Sequence, residues 1–574
     1  MGDNNFCAEE KWYIISRYYS ESTLLHGLRL FMAFEIRNRD MLARIGRLET
    51  KSGVVETPIL LPVVNPAIQS ISPKVMREEF GCTALMTNAY IIRKRSEAEA
   101  AEIGIHRLLD FDGVVMTDSG AYQLLIYGDV PITNKDIVKF QECIDTDIAV
   151  ILDVPTGWGV SQQYARQTVE ETLKRAKELA KIKTRNDILW AGPVQGGAYL
   201  ELVAESAKRM GKLPFQIHAL GSPTPVMEQY LFGTLVDMIM AAKQNLPPDR
   251  PLHLFGAGHP FMFALAIALG CDMFDSAAYA LYARQDRYMT NTRTLRLNEI
   301  EYFPCSCPLC TKTNPAGVRD MTKPQRQEFL AQHNLYVSTA EIKSVKQAIA
   351  EGRLWEHLKL QSHGHPALFS ALKRLGKYSK YLETQSPVSK NSGLFFFEAT
   401  DLIRPEVPRH AERLKDRYAP PKNAKVLLLL PQTRTKPYHK SREHARIIKG
   451  VKERHKDSKS LVHFCTYAAP FGVVPIEIDE IYPLSQHEVA QPLDYETIKY
   501  VAEQVGSYIR RNRYHKVILL NDPEAWSTKI VSAVRSACKN KKISVTVLNP
   551  TSPWDKSAVN ILFDAVQKAV GEQT

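Results

Sequence analysis

A chain of 574 residues is too long for one ordinary domain and suggests roughly two to four. Its 44% apolar and 24% charged residues are those of a folded globular protein, which excludes global disorder. The formal charge of +12 favours a polyanionic partner, and nine cysteines, an odd number with one cluster, exclude a disulfide framework and fit a reducing cytosol.

No apolar run reaches membrane-spanning length. The opening "MGDNNFCAEEKWYIISRYYSESTLLHGLRLF" lacks a basic n-region with a small-residue cleavage site, so no signal peptide is expected. Residues 1–31 read as an N-terminal extension, with Met32 a candidate start because a domain-like pattern opens just after it.

From about residue 34 to 300, short apolar runs alternate with charged segments of helical period. "ALMTNAY", "GVVMTD", "DIAVILDVP", "LWAGPVQG", "FQIHALG", "LHLFGAG" and "MFDSAAY" read as strands, and "SQQYARQTVEETLKRAKELAKI" and "AYLELVAESAKRM" as helices between them. Alternation of this kind implies βαβ units and a parallel sheet, and about eight units over roughly 300 residues fit a (β/α)8 barrel. Strand candidates end on Asp118, Asp153, Gln195, Gly221 and Asp275. A lone Asp there is commonly a helix N-cap. In a barrel, however, all strand C-termini face one mouth, so polar or glycine residues recurring at corresponding ends point to a site.

"FPCSCPLC" places Cys305, Cys307 and Cys310 too close to pair without strain, and thiolates at such spacing favour zinc. His333 in "FLAQHNLYVSTAEI" supplies a fourth ligand. Three thiolates and an imidazole close a tetrahedron and leave no vacancy for water, so the metal is expected to be structural, one per chain.

Beyond about residue 360 the texture changes. "AKVLLLLP", "LVHFCTY", "HKVILLN" and "ISVTVLNP" read as buried strands of a second, smaller α/β domain, with "YAPPKN" at 418–423 as its linker. The expected organisation is therefore an extension at 1–31, a barrel domain at 32–360 with its zinc segment at 305–333, a connecting region at 361–424, and a C-terminal α/β domain at 425–574. Residues 434–459 carry ten Lys/Arg against three Asp/Glu, which is either a solvated loop or a phosphate-contacting one.

With the metal assigned to structure, chemistry falls to the carboxylates. Asp118 in "VVMTDSGAYQLL" and Asp275 in "GCDMFDSAAYALYARQDRY" can divide labour at one barrel mouth, one attacking a sugar carbon and the other moving protons, as glycosyl chemistry requires. Tyr122 offers a flat face for a planar ring, and Asp153 and Gln195 offer acceptors and donors for a purine edge. His253 and His259 lie near the mouth and read as structural.

"MTDSGAYQ", "ILDVPTG", "VQGG", "MFDS" and the cysteine–histidine spacing, in this order, resemble the tRNA-guanine transglycosylases. "DSGA" in place of "DSGG" and the segment "NLYVSTAEIKSVKQAIAEGRLWEHL" make the archaeal branch the closer match. The resemblance covers about residues 34–360 strongly and a weaker archaeal-type extension to about 550. It implies a TIM barrel that exchanges guanine in tRNA for 7-cyano-7-deazaguanine, at guanine 15 of the D-arm, on the way to archaeosine. Asp275 matches the nucleophile that holds the ribose C1′, and Asp118 the general acid/base. Ser119, Tyr122, Asp153, Gln195, Gly196 and Gly221 fall where the family contacts the purine. Asn88 falls where it would reach the ribose or orient Asp275, although a turn asparagine reads nearly as well. Such exchange conserves the glycosidic bond energy in a covalent intermediate and needs neither ATP nor a redox cofactor. Accordingly, the chain has no Walker A motif and no G-x-G-x-x-G after a strand.

Two departures qualify the match. No C-terminal PUA domain is found, so a separate PUA-containing subunit is a candidate partner, alongside tRNA and a homodimer or hetero-oligomer. "PQTRTKPYHKSREH" at 431–444 resembles the motif of archaeosine synthase except that Gln432 replaces its cysteine. An amide cannot substitute for a thiol nucleophile. The alternatives are thus an archaeosine synthase-like enzyme acting on the installed base, and a non-catalytic tRNA-binding subunit. Retention of both aspartates favours the transglycosylase.

Overall fold

A computed structural model of the chain describes residues 34–121, 132–454 and 461–572; the extension at 1–31 and Tyr122 lie outside them. Strands β1 (Phe34–Asp40), β2 (Ala43–Thr50) and β3 (Gly53–Thr57) form an antiparallel sheet. Eight parallel strands follow: β4 (Ile59–Pro62), β5 (Ala84–Asn88), β6 (Val114–Asp118), β7 (Ile148–Val150), β8 (Leu189–Val194), β9 (Ile217–Leu220), β10 (Leu252–Leu254) and β11 (Met273–Ser276). Their order is β4-β11-β10-β9-β8-β7-β6-β5. A bridge between Val63 and Met86, with Val64 N donating to Met86 O at 2.8 Å, joins the two ends and closes a barrel. The seven strands read from sequence are all present, and β4, "ILLP", is the eighth.

Strand alternation builds two cores. Ile59, Leu61, Ala84, Met86, Val114, Met116, Ile148, Val150, Ala191, Ile217 and Met273 fill the barrel, and Phe34, Leu48 and Val55 of the N-terminal sheet plug its lower end. The outward residues, such as Trp190, Leu220, Leu254 and Phe274, pack under the surrounding helices.

After β11 the chain forms a short helix, Ala278–Ala283, a hairpin of β12 (Arg287–Met289) and β13 (Thr294–Arg296), and the cysteine loop. The 29-residue helix Lys323–Glu351 then returns the chain to the barrel. The region read as connecting is largely helical, and its strand β14 (Leu394–Phe396) pairs in parallel with β18 (His487–Val489). It is welded to the barrel by buried ions: Lys390 contacts Asp40 at 2.7 Å and Glu406 at 2.9 Å, and Arg404 contacts Glu356 at 2.9 Å and Glu406 at 3.1 Å.

The smaller α/β unit is a five-stranded sheet in the order β17-β16-β15-β19-β20, formed by β15 (Val426–Pro431), β16 (Val462–Ala468), β17 (Gly472–Pro475), β19 (Lys516–Leu520) and β20 (Ser544–Leu548). Only the edge strand β17 is antiparallel. Helices Tyr495–Arg511 and Lys529–Lys541 cover one face, and Arg442–Arg454 and Lys556–Gly571 the other. Half of the basic run at 434–459 is therefore α-helix. His444, Ile447, Ile448 and Val451 are buried, while Arg442, Arg446, Lys449, Lys452 and Arg454 are exposed.

Candidate active site

Strand parity aims the site residues. In β6, Val114 and Met116 face the barrel interior and Thr117 turns outward to Gln141, so Asp118 faces inward at the carboxyl end. In β11, Met273 faces in and Phe274 faces the outer helices, so Asp275 faces in. Asn88 ends β5 by the same rule.

Asn88 Nδ2 donates to Asp118 Oδ2 at 3.1 Å, while its Oδ1 accepts from Ile91 N at 2.9 Å and caps the following helix. Asn88 thus holds Asp118, and it is a capping asparagine as well. The Asp118 carboxyl is pushed up to about 7, chiefly by burial and then by the charges of Asp153 and Asp275; the Ser119 and Gly120 backbone N–H groups oppose this. Asp275 is differently placed. Its Oδ1 lies 2.9 Å from His253 Nε2 and accepts from Gly256 N at 2.9 Å. Two carboxyls near one mouth are therefore in unlike surroundings, the arrangement that lets one carry a proton while the other attacks.

Asp153 and Gln195 also come together: Gln195 Nε2 donates to Asp153 Oδ2 at 2.6 Å, and Gln195 Oε1 accepts from Thr156 N and Ser222 Oγ. Burial raises Asp153 to about 6 despite that bond. Gly221 lies beneath the same amide; a Cβ there would meet Gln195 Nε2 at 2.3 Å, so a larger residue would displace that amide. Gly196 N donates to Thr156 Oγ1 at 3.2 Å. Ser119 is buried, and its hydroxyl has no hydrogen-bond partner among the described residues.

His253, which the sequence alone leaves outside the site, is fully buried, and its Nε2 lies 2.9 Å from Asp275 Oδ1. The available signal was parity: Leu252 and Leu254 on either side face outward, so His253 must face in. His259 does match its structural reading. Its Nδ1 accepts from Phe261 N at the start of helix Pro260–Ala268, and its Nε2 lies 2.7 Å from Thr294 Oγ1.

The metal candidates converge. The ligand atoms of Cys305, Cys307, Cys310 and His333 all lie within 4.8 Å of one another. His333 Nε2 lies 2.9 Å from Met289 O, which fixes the donor there and leaves the Nδ1 lone pair toward Cys310 Sγ at 3.3 Å and Cys307 Sγ at 3.6 Å. Tyr288 stacks on the imidazole with centroids 3.6 Å apart. This set can hold a metal ion, and no carboxylate belongs to it. Elsewhere, Gln432 Oε1 accepts from Ala469 N at 2.9 Å, so its amide secures the end of β15.

Residues 40–367 match the family model described as queuine tRNA-ribosyltransferase, and residues 407–563 match a domain of unknown function, DUF5591. The tRNA-guanine(15) transglycosylase of Saccharolobus solfataricus is 42% identical over 498 residues, 85% of this chain and 96% of that protein. The one from Pyrobaculum aerophilum is 43% identical over 510 residues, 88% of this chain and 98% of that protein. The one from Methanobrevibacter smithii is 41% identical over 494 residues, 85% of this chain and 73% of that protein. With the family model spanning more than half of its length, the chain belongs to the queuine tRNA-ribosyltransferase family.

Proposed function

We propose that this chain is a tRNA-guanine transglycosylase that replaces guanine 15 of the D-arm with 7-cyano-7-deazaguanine. The observation that carries the reading is the unlike pair of carboxyls at one barrel mouth. Asp275 has one oxygen held by two donors, and Asp118 is raised to about 7, so it can bind and release a proton near neutrality. Relatives similar over most of the chain carry the name of that activity.

In this reading an Asp275 oxygen bonds to the ribose C1′ as the C1′–N9 bond of guanine breaks, and Asp118 gives guanine its proton. The incoming base then loses its N9 proton to Asp118, forms its bond to C1′, and releases Asp275 as carboxylate. Asp153 and Gln195 face the purine edge, Ser119 offers its hydroxyl, and Tyr122 the stacking face. Extruding the target base costs roughly a few kcal/mol, and exposed basic residues of helix Arg442–Arg454 are available to grip phosphates in return. The Cys305, Cys307, Cys310 and His333 set suits zinc, which would brace the segment without joining the reaction. A PUA-domain subunit and a second copy of this chain belong to the same reading as candidate partners, as does a cytoplasmic setting.

The test is incorporation of labelled guanine into an unmodified tRNA transcript. Label entering with the intact chain, but not with Asp275→Ala, is expected. No label with the intact chain, even with a PUA-domain protein added, would remove the reading.

A further inference from the structure

Among the described residues, His253 has one side-chain hydrogen-bond partner, the carboxylate assigned above as nucleophile. It sits in the middle of β10, opposite Met273 on β11 and Ala219 on β9, inside the barrel and fully buried. Its Nε2 lies 2.9 Å from Asp275 Oδ1. Its Nδ1 is buried and has no hydrogen-bond partner among the described residues. A carboxylate can only accept, so the ring must carry a proton on Nε2 to bond it. The Phe255 ring, with its centroid 4.8 Å away, packs against the imidazole.

The second donor converges on the same atom. Gly256 N donates to Asp275 Oδ1 at 2.9 Å from a loop position with φ +67°, a left-handed conformation suited to glycine. Both hydrogen bonds to the Asp275 carboxylate among the described residues therefore fall on Oδ1. A carboxylate attacks through the oxygen whose lone pairs are unengaged.

We propose that His253 is the positioning residue for Asp275, pinning Oδ1 together with Gly256 so that Oδ2 is the oxygen that bonds to the ribose. The inference rests on the base-exchange reading and deepens it. In the forward step the Oδ2 lone pair forms the bond to C1′ while the C1′–N9 pair leaves with guanine, which takes the Asp118 proton. Oδ1 then becomes the ester carbonyl oxygen and keeps both donors. In the return step the N9 lone pair of the incoming base forms the new bond, its proton passes to Asp118, and the C1′–Oδ2 pair returns to Asp275. The two donors on Oδ1 make the departing carboxylate a better leaving group, so losing one slows release of the ester.

The test compares His253→Phe, which keeps a ring but has no donor, with His253→Gln, whose amide N–H reaches toward the position of Nε2. For His253→Phe, kcat for guanine exchange is expected to fall 10- to 100-fold, with KM for tRNA and for guanine within threefold of the parent. The denaturation-resistant tRNA–protein adduct should form a larger share of the enzyme at steady state. His253→Gln should recover part of kcat, and it also covers the case in which the Phe variant fails to fold. Parental kcat in the folded Phe variant, a loss confined to KM, or equal losses in folded Phe and Gln variants would overturn the positioning role. Those outcomes differ from failure of the parent chain itself to exchange guanine, which would remove the underlying function.

Discussion

At Asp118, burial and the neighbouring charges of Asp153 and Asp275 outweigh the backbone donors of Ser119 and Gly120, so the folded protein favours the protonated acid. A raised value means that its contribution to stability is fully present below the ordinary carboxylate range and is lost as pH rises through about 7. Asp118→Asn keeps the shape and removes the ionisation. It is therefore expected to raise stability at pH 8 by a few kcal/mol, at about 1.4 kcal/mol per pKa unit, with the gain shrinking as pH falls. Thermal melts at several pH values would read this, and an unchanged melting temperature at pH 8 would contradict it. The same substitution should abolish guanine exchange, while kcat/KM of the parent declines above about pH 7 because the leaving base no longer finds a proton.

At the scale of single elements, two clusters of polar side chains each carry a prediction. At the start of β7, Asp147 accepts from Val115 N at 2.7 Å and from Ser52 Oγ at 2.5 Å, and lies 3.2 Å from His106 Nε2. The bond to Asp147 is the largest influence on His106 and raises it despite burial and Lys51. Its stabilisation is present below the ordinary histidine value and fades as pH rises through the raised folded one. His106→Gln should thus lower the melting temperature at pH 5.5 and have little effect at pH 9; equal effects at both would argue against the ion pair. In the cysteine segment, Cys310→Ser removes one of four donors. Bound metal, measured by elemental analysis, should fall from about one per chain to well below it, with earlier melting. Retention of a full equivalent would mean that Cys310 is not a ligand.

At the scale of the whole molecule, the barrel and the segments beyond it are joined by charge that water cannot reach. Lys390 is nearly fully buried between Asp40 of β1 and Glu406, and both partners are buried too. Removing one member of such a group leaves uncompensated charge and costs about 3–5 kcal/mol, far more than an exposed pair. Lys390→Met is expected to lose stability on that scale. Adding Asp40→Asn should restore part of it, because the amide oxygen can still accept from Leu354 N. A single-variant loss under about 1 kcal/mol would place the weld elsewhere.

The chain by itself determined the barrel, the smaller α/β unit and the family, because these rest on local periodicity and on motifs such as "MTDSGAYQ" and "MFDS" that keep their spacing in the sequence. It also announced the cysteine–histidine cluster that can hold a metal ion, since three cysteines within one turn-rich segment leave few chemical options. The short strand β4 was less legible: four residues of "ILLP" carry too little period to stand out. The tilt of the basic run into a helix depended on Ile447, Ile448 and Val451 finding the sheet beneath them. Above all, only the tertiary structure decided what His253, Asn88 and Lys390 do. Each acts through a partner distant in the sequence, and a buried polar group takes its meaning from the one atom it meets, which local sequence does not encode.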